Sequence, residues 1–296
     1  MKSVIGMCAK NEHKYIQECI CFNYLQGWDK IIVCLHDVPD EPEPDLTKEM
    51  IYKLPDEVLK KVELLNVEEE PGWGFQHKAY HLMLQRVMDY DWLALFDVDE
   101  YLYDSQKRPI NDLLATVSND VGQILIPWVE FGHNNRILSA TPQETRLAVF
   151  TKSSGIDPRA LYKAIVRPRN VIQNLNDHRP SVYWYHCHHM ITKGRHVDFL
   201  NRDLVPVNFD FDSENMFIRF HSIARQDFTV FDPCIAHYYT GSMEDWVIRT
   251  KRTARTSAVT LPRTFQTFFD LKYNKEDLRM SIYVDELREL LSKCKQ

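Results

Sequence analysis

Three acids close an apolar run near the middle of the first half of this chain. Trp92-Leu93-Ala94-Leu95-Phe96 is followed by Asp97, Asp99 and Glu100. An apolar run bounded by polar residues reads as a strand buried on both faces. Asp97 and Asp99 then sit at its C-terminal end, where their carboxylates can converge on one ion. In open α/β sheets, ligands bind outside the C-terminal ends of the strands. Hard oxygen ligands suit Mg²⁺ or Mn²⁺, and such ions are commonly shared with substrate phosphates. The expectation is a site for a metal-bound nucleotide diphosphate. The plainer alternative is an acidic cluster that caps a helix or lies in a solvated turn.

The elements that would carry these acids alternate strand and helix. Strands are expected at Ser3 to Ala9, Lys30 to Leu35, Val62 to Val67 and Trp92 to Phe96. Between them fall an amphipathic helix from Tyr15 to Leu25, a helix around Leu46 to Lys53 and another from Gln76 to Tyr90. This order implies a mostly parallel, Rossmann-like α/β sheet flanked by helices. Beyond Asp99 the pattern weakens into a mixed, loop-rich C-terminal half. It has a helix at Ile110 to Thr116, strands at Gln123 to Glu130 and Ala160 to Val166, and short strands and loops from Asn170 to Pro233. Helices return at Met243 to Thr256 and near Val284 to Leu291. One domain over 1–296 is the simplest reading, with a nucleotide-binding half to about 105 and an acceptor half beyond it.

The 296 residues carry 44% hydrophobic and 26% charged side chains, ordinary for a protein with a real core. A net charge of −6 argues against general nucleic-acid affinity. No apolar run approaches the roughly 20 residues that span a bilayer, and the N-terminal stretch reads as a strand rather than a signal peptide. Seven cysteines at irregular spacing fit a reducing compartment. The chain is therefore expected to be cytoplasmic, or a soluble fragment of something larger.

Several segments together carry a resemblance. They are Lys10-Asn11-Glu12, Gln76-His77-Lys78-Ala79-Tyr80, Trp92 through Tyr101, Trp128-Val129-Glu130-Phe131-Gly132, and His237-Tyr238-Tyr239-Thr240. In this order and spacing the chain resembles the family 92-type glycosyltransferases and their relatives in the family 2-like group, over about residues 3 to 255. The resemblance implies a GT-A fold and a metal-dependent, inverting transfer of a hexose or pentose. The donor would be a nucleotide-diphosphate sugar, a UDP-sugar first, and the acceptor a glycan or glycoconjugate. It also implies that Asp97 and Asp99 hold Mn²⁺ or Mg²⁺ bridging the donor phosphates, with His237 completing the coordination. Imidazole suits Mn²⁺ better than Mg²⁺. The alternative for His237 is a core histidine beside two tyrosines.

Other candidates follow from position. Lys10, Asn11, Glu12 and Asp37 end the first two strands, where the resemblance places the nucleoside. His-Asp-Val-Pro stands at Asp37 where related enzymes often show paired acids. Gln76 and Lys78 open a helix and can face the donor. From Trp246 to Phe269 there is no acid, while Arg249, Lys251, Arg252, Arg255 and Arg263 all occur. Lys251 and Arg252 are the expected diphosphate contacts, with Gly241 as a hinge; a solvated basic face is the alternative. Lys163, Arg167 and Arg169 form a second basic stretch, either ligand-facing or surface charge. Glu130 is the first candidate for the general base that the acceptor hydroxyl requires, with Trp128 and Phe131 to stack on a sugar. Asp177 is the second. His186-Cys187-His188-His189 with His196 lacks the second ligand pair of a structural zinc site, so one or two of these histidines are expected near the active site instead. The competing functions are a nucleotidyltransferase, for which a Gly-rich phosphate loop near the first strand is missing, and a glycan-binding module without turnover.

Overall fold

Strand β1 (Ser3–Ala9) serves two cores at once. Ile5 and Met7 join one apolar cluster, and Val4 joins the other. β2 (Lys30–His36) repeats the alternation, with Ile31 and Val33 on one face and Ile32 and Cys34 on the other. A strand buried on both faces has no polar alternation, which is why these segments are continuous apolar runs. The molecule is described from a computed structural model covering residues 1–36, 45–67, 75–155, 162–171, 185–186, 189–190, 192–200, 203–212, 217–221, 231–253, 268 and 273–295. At 185–186, 189, 200, 205, 207–212, 217–221 and 250–253 the description is of backbone only.

Around β1 and β2 the chain places α1 (Ile16–Leu25), α2 (Thr47–Tyr52), α3 (Asp56–Leu59), β3 (Val62–Val67), α4 (Phe75–Arg86) and β4 (Trp92–Leu95). There follow β5 (Glu100–Tyr103), α5 (Ile110–Ala115), β6 (Val121–Glu130), α6 (Arg146–Val149), β7 (Lys152–Ser153) and β8 (Tyr162–Val166). The remainder holds β9 (Tyr185–His186), β10 (His189–Met190), β11 (Arg195–Leu200), β12 (Asp203–Asp212), β13 (Phe217–His221), β14 (Cys234–His237), α7 (Met243–Thr253), β15 (Lys275–Glu276) and α8 (Val284–Leu291). The main sheet runs β13-β12-β11-β6-β8-β4-β1-β2-β3. Its β4-β1-β2-β3 part is wholly parallel, as the sequence implies. Beyond β4 it is mixed, because β8 inserts antiparallel between β4 and β6.

The helices fill the two faces differently. α4 packs Ala79, Tyr80, Met83 and Leu84 into the core that holds Val4 and Leu93. Gly6 lies under it, and a Cβ there would stand 2.3 Å from Met83 Sδ. α1 is not amphipathic: eight of its ten residues are buried, because it lies between the sheet and the C-terminal helix α8. α8 is amphipathic, burying Val284, Leu287, Leu290 and Leu291 at helical spacing. No helix among the described residues is long and apolar enough to cross a membrane.

β6 divides the sheet. Along one edge it pairs with β8. Along the other it pairs first with β11, from Val121 to Leu125, and then with β14, from Trp128 to Glu130. β14 in turn pairs antiparallel with β5. The stretch from Asn170 to Pro233 holds longer strands than its composition implies, with β12 at ten residues. Its alternation of charged and apolar residues suits strands open on one face.

Candidate functional site

The acids Asp97 and Asp99 lie in a tight turn joining β4 to β5. Glu100 N–H donates to Asp97 O at 3.1 Å, and Asp97 N–H donates to Glu100 Oε2 at 2.9 Å. Phe96 N–H still bonds Gly6 O at 3.1 Å, so the turn begins where β4 leaves β1. Three strands then bring the chemistry abreast. In the β5–β14 register His237 stands opposite Glu100, and in the β14–β6 register it stands opposite Glu130. Cross-strand partners share a face. His237 Nε2 lies 4.0 Å from Glu100 Oε1 and 3.7 Å from Asp99 Oδ2, and its ring packs on Trp128 at 4.3 Å. The histidine is thus inside the acidic site and not merely a core residue beside tyrosines.

Each aspartate meets its own cation. Lys163, fully buried on β8, reaches Asp97 Oδ2 at 2.7 Å and Glu100 Oε2 at 3.0 Å. Arg249, on α7, reaches Asp99 Oδ2 at 2.6 Å and also donates to Tyr239 O. Burial alone would raise the Asp99 carboxyl pKa, but Arg249 and His237 outweigh it and hold it well below the usual range. Among the described residues no three His, Cys, Asp or Glu side chains form a metal-ligand group. Asp99 and His237 form an oxygen–nitrogen pair, and His237 Nδ1 is buried without a partner.

A small cleft opens between the turn after β1 and α7, and Arg249 connects it to Asp99. Asn11, Glu12, Lys14, Arg146, Asp245 and Arg249 contribute to its lining. The turn is fixed by backbone donors. Asn11, at φ 53°, donates its N–H to Asp45 Oδ2 at 2.8 Å, and Glu12 donates its N–H to Thr47 Oγ1 at 2.8 Å. The start of α7 is fixed too. Ser242 and Asp245 form a reciprocal cap, Ser242 N–H to Asp245 Oδ2 at 2.8 Å and Asp245 N–H to Ser242 Oγ at 3.1 Å. Tyr15 OH donates to Asp245 Oδ2 at 2.8 Å. Gly241, at φ +60°, leaves room for this cap, since a Cβ there would lie 2.7 Å from Asp245 Oδ2. It is a close-packed turn residue at the start of α7.

The remaining candidates scatter. Glu130 is half-buried at the end of β6, and Tyr273 OH donates to its Oε2 at 3.3 Å. Lys10 is half-buried next to the cleft's Asn11; Gln76 is exposed and Lys78 half-buried on α4. None of these three contributes to the cleft lining. Asp37 and Asp177 lie outside the described residues, as do the side chains of Lys251 and Arg252, whose backbone continues α7. In the second basic stretch only Lys163 belongs to the site. Arg167 donates to Val121 O at 2.9 Å and stacks on Trp92, tying its loop to the sheet, and Arg169 donates to Met88 O at 2.8 Å in the turn after α4. His196 is a core histidine: its Nδ1 is 2.8 Å from Gln123 Nε2, near the far end of β6 from Glu130, and burial lowers its pKa. The sequence reading gave no role to Glu100, Arg146 or Asp245, and passed over Arg249 for its neighbours. The available signal for Glu100 was its place as third acid after the strand.

No protein-family model matches the chain, and no curated protein matches it. Among solved structures, the chain is similar to the galactosyltransferase LgtC in complex with donor and acceptor sugar analogues. The identity is 12% and the TM-score 0.37, over 90% of this chain and 99% of that one. An active-site mutant of LgtC is matched at 11% identity and a TM-score of 0.27, over 56% and 57% of the two chains.

Proposed function

We propose that this chain is a GT-A-type glycosyltransferase that takes a nucleotide-diphosphate sugar, a UDP-sugar first, and transfers its sugar to a glycan or glycoconjugate with inversion. The observation that supports this most is the row Glu100–His237–Glu130 across β5, β14 and β6, beside Asp99, whose partner Arg249 lines the cleft. It puts two carboxylates and an imidazole side by side on adjacent strands, with the Glu130 carboxylate half-buried.

The residues fit a divalent ion in kind. Asp99 Oδ2 and His237 Nε2, 3.7 Å apart, are the side-chain atoms that would hold it. The oxygen–nitrogen pair suits Mn²⁺. Asp97, still about a third exposed, stands next in line. When bound, such an ion supplies Lewis-acid stabilisation of the leaving diphosphate. Arg249, now on Asp99, is the cation placed to follow the charge onto the diphosphate as the glycosidic bond breaks. Glu130 accepts the proton of the acceptor hydroxyl as that oxygen attacks the anomeric carbon, and Tyr273 OH orients the carboxylate.

The test is a thermal-shift and product-release screen of UDP- and GDP-sugars, with and without Mn²⁺. Metal-dependent stabilisation by one nucleotide-sugar, with release of its nucleoside diphosphate, is expected. Pyrophosphate release from a nucleoside triphosphate would point to nucleotidyl transfer instead. No stabilisation by any nucleotide-sugar would remove the reading.

A further inference from the structure

Arg146 is 1% exposed, yet its guanidinium has almost no partner. Nη1 reaches Val98 O only at 3.4 Å, and Nε is buried with no hydrogen bond. No carboxylate stands within salt-bridge distance of it among the described residues. The Glu18 carboxylate is engaged instead by the Arg146 backbone N–H, at 2.8 Å. What faces the guanidinium is the ring of Tyr15, 3.7 Å away. Burying a charge in this condition is costly, and evolution ordinarily neutralises or pairs such a group.

The backbone before it is strained as well. Thr145 has φ 61° and ψ 145°, and its Oγ1 is buried without a partner. A β-branched residue at positive φ is a genuine outlier, and such strain collects at functional sites. Arg146 lines the cleft together with Arg249 and Lys14. Two acids line it too. Asp245 is engaged by Tyr15, Ser242 and Ser139, and Glu12 adds a negative charge that opposes an incoming anion.

We propose that Arg146 is an anion receptor, its buried fork of donors binding a phosphoryl oxyanion in this cleft, and that the oxyanion is the donor's diphosphate. The first part stands on geometry alone; the second rests on the function proposed above. A planar fork suits two phosphate oxygens in a way that a lysine ammonium does not.

Calorimetric titration of the full chain with inorganic pyrophosphate and with UDP, both without divalent metal, tests it. Arg146→Lys keeps the charge and loses the fork, so pyrophosphate affinity should fall about tenfold, as for loss of a charge-assisted hydrogen bond. Glu12→Gln removes the opposing charge and should tighten binding roughly threefold. Glu12→Gln keeps the backbone bonds that hold the turn, so this variant reports even where Arg146→Lys does not fold. Arg195→Gln, exposed and paired with Asp120 elsewhere, should change nothing. UDP should follow pyrophosphate in every variant. Unchanged pyrophosphate affinity in both Arg146→Lys and Glu12→Gln overturns the receptor. A pyrophosphate effect that UDP does not share overturns the assignment to the donor. Arg146-dependent binding in a protein that transfers no sugar removes the proposed function and leaves the receptor; sugar transfer with Arg146-independent binding does the reverse.

Discussion

Replacing Lys163 by Met should destabilise the protein by about 3–5 kcal/mol, the usual consequence of removing one partner from a buried ion pair. Lys163 and Glu100 are both wholly buried, 3.0 Å apart. The variant therefore takes the buried cation from the Glu100 carboxylate in the core, where the Asp97 N–H stays on Oε2 at 2.9 Å. The second contact, to Asp97 at 2.7 Å, adds less, because Asp97 is 34% exposed and water screens it. Lys163 also packs over the Trp128 ring at 5.6 Å, and the Met side chain keeps most of that apolar contact. For a chain of this size, about 2 °C per kcal/mol gives a fall in melting temperature of roughly 6–10 °C. Urea denaturation should show the same loss in the midpoint without a change in slope. The informative companion is the double variant Lys163→Met, Glu100→Leu, which replaces both charges by apolar groups and should recover most of the loss. A single variant within about 1 kcal/mol of the parent would refute the reasoning. So would a double variant no more stable than the single one.

Three other outcomes follow from the site. Asp99 has a depressed folded-state pKa, so its contribution is fully present above the ordinary carboxylate value of about 4 and is lost as pH falls through the folded value. Asp99→Asn should accordingly flatten the acid side of the stability–pH curve, and an unaltered curve would show that Arg249 does not hold this carboxylate. Tyr273→Phe should lower turnover by up to about tenfold through loss of the hydroxyl on Glu130, with donor affinity unchanged; an effect on donor KM alone would place Glu130 away from the acceptor. Gly241→Ala should cost about 1–2 kcal/mol by crowding the Ser242–Asp245 cap at a positive φ, measured by chemical denaturation, and a neutral result would show that the start of α7 yields readily.

The parallel half of the fold was legible because both faces of its strands are buried. Runs such as Val4 to Met7 and Ile31 to Leu35 admit few other readings, and the ends of β1 and β3 fall where the sequence places them. α1 was legible as a helix but not as a buried one, since its surroundings include α8, more than two hundred residues later. The sequence also pointed to His237 and Glu130 without showing that β14 would set them side by side, because register between distant strands leaves no local mark. Lys163 was ambiguous for a related reason: a lysine in a strand is ordinarily exposed, and its burial rests on acidic partners distant in sequence. Arg249 and its neighbours in α7 look alike in composition, and only the docking of α7's first turn selects which one meets Asp99.

The position of β14 has a consequence for how the protein is made. β5 and β6 are synthesised more than a hundred residues before the strand that joins them. Until Cys234–His237 arrives, the β5 edge and the last turn of β6, the very backbone that later carries Glu100 and Glu130, present unsatisfied donors and acceptors. On the ribosome that interval lasts on the order of ten seconds. The row Glu100–His237–Glu130 is therefore also the nascent chain's exposed seam. Chaperone capture, premature self-association and sensitivity to truncation should concentrate there, and a chain ending before Cys234 should aggregate through the same edges that in the finished protein frame the site.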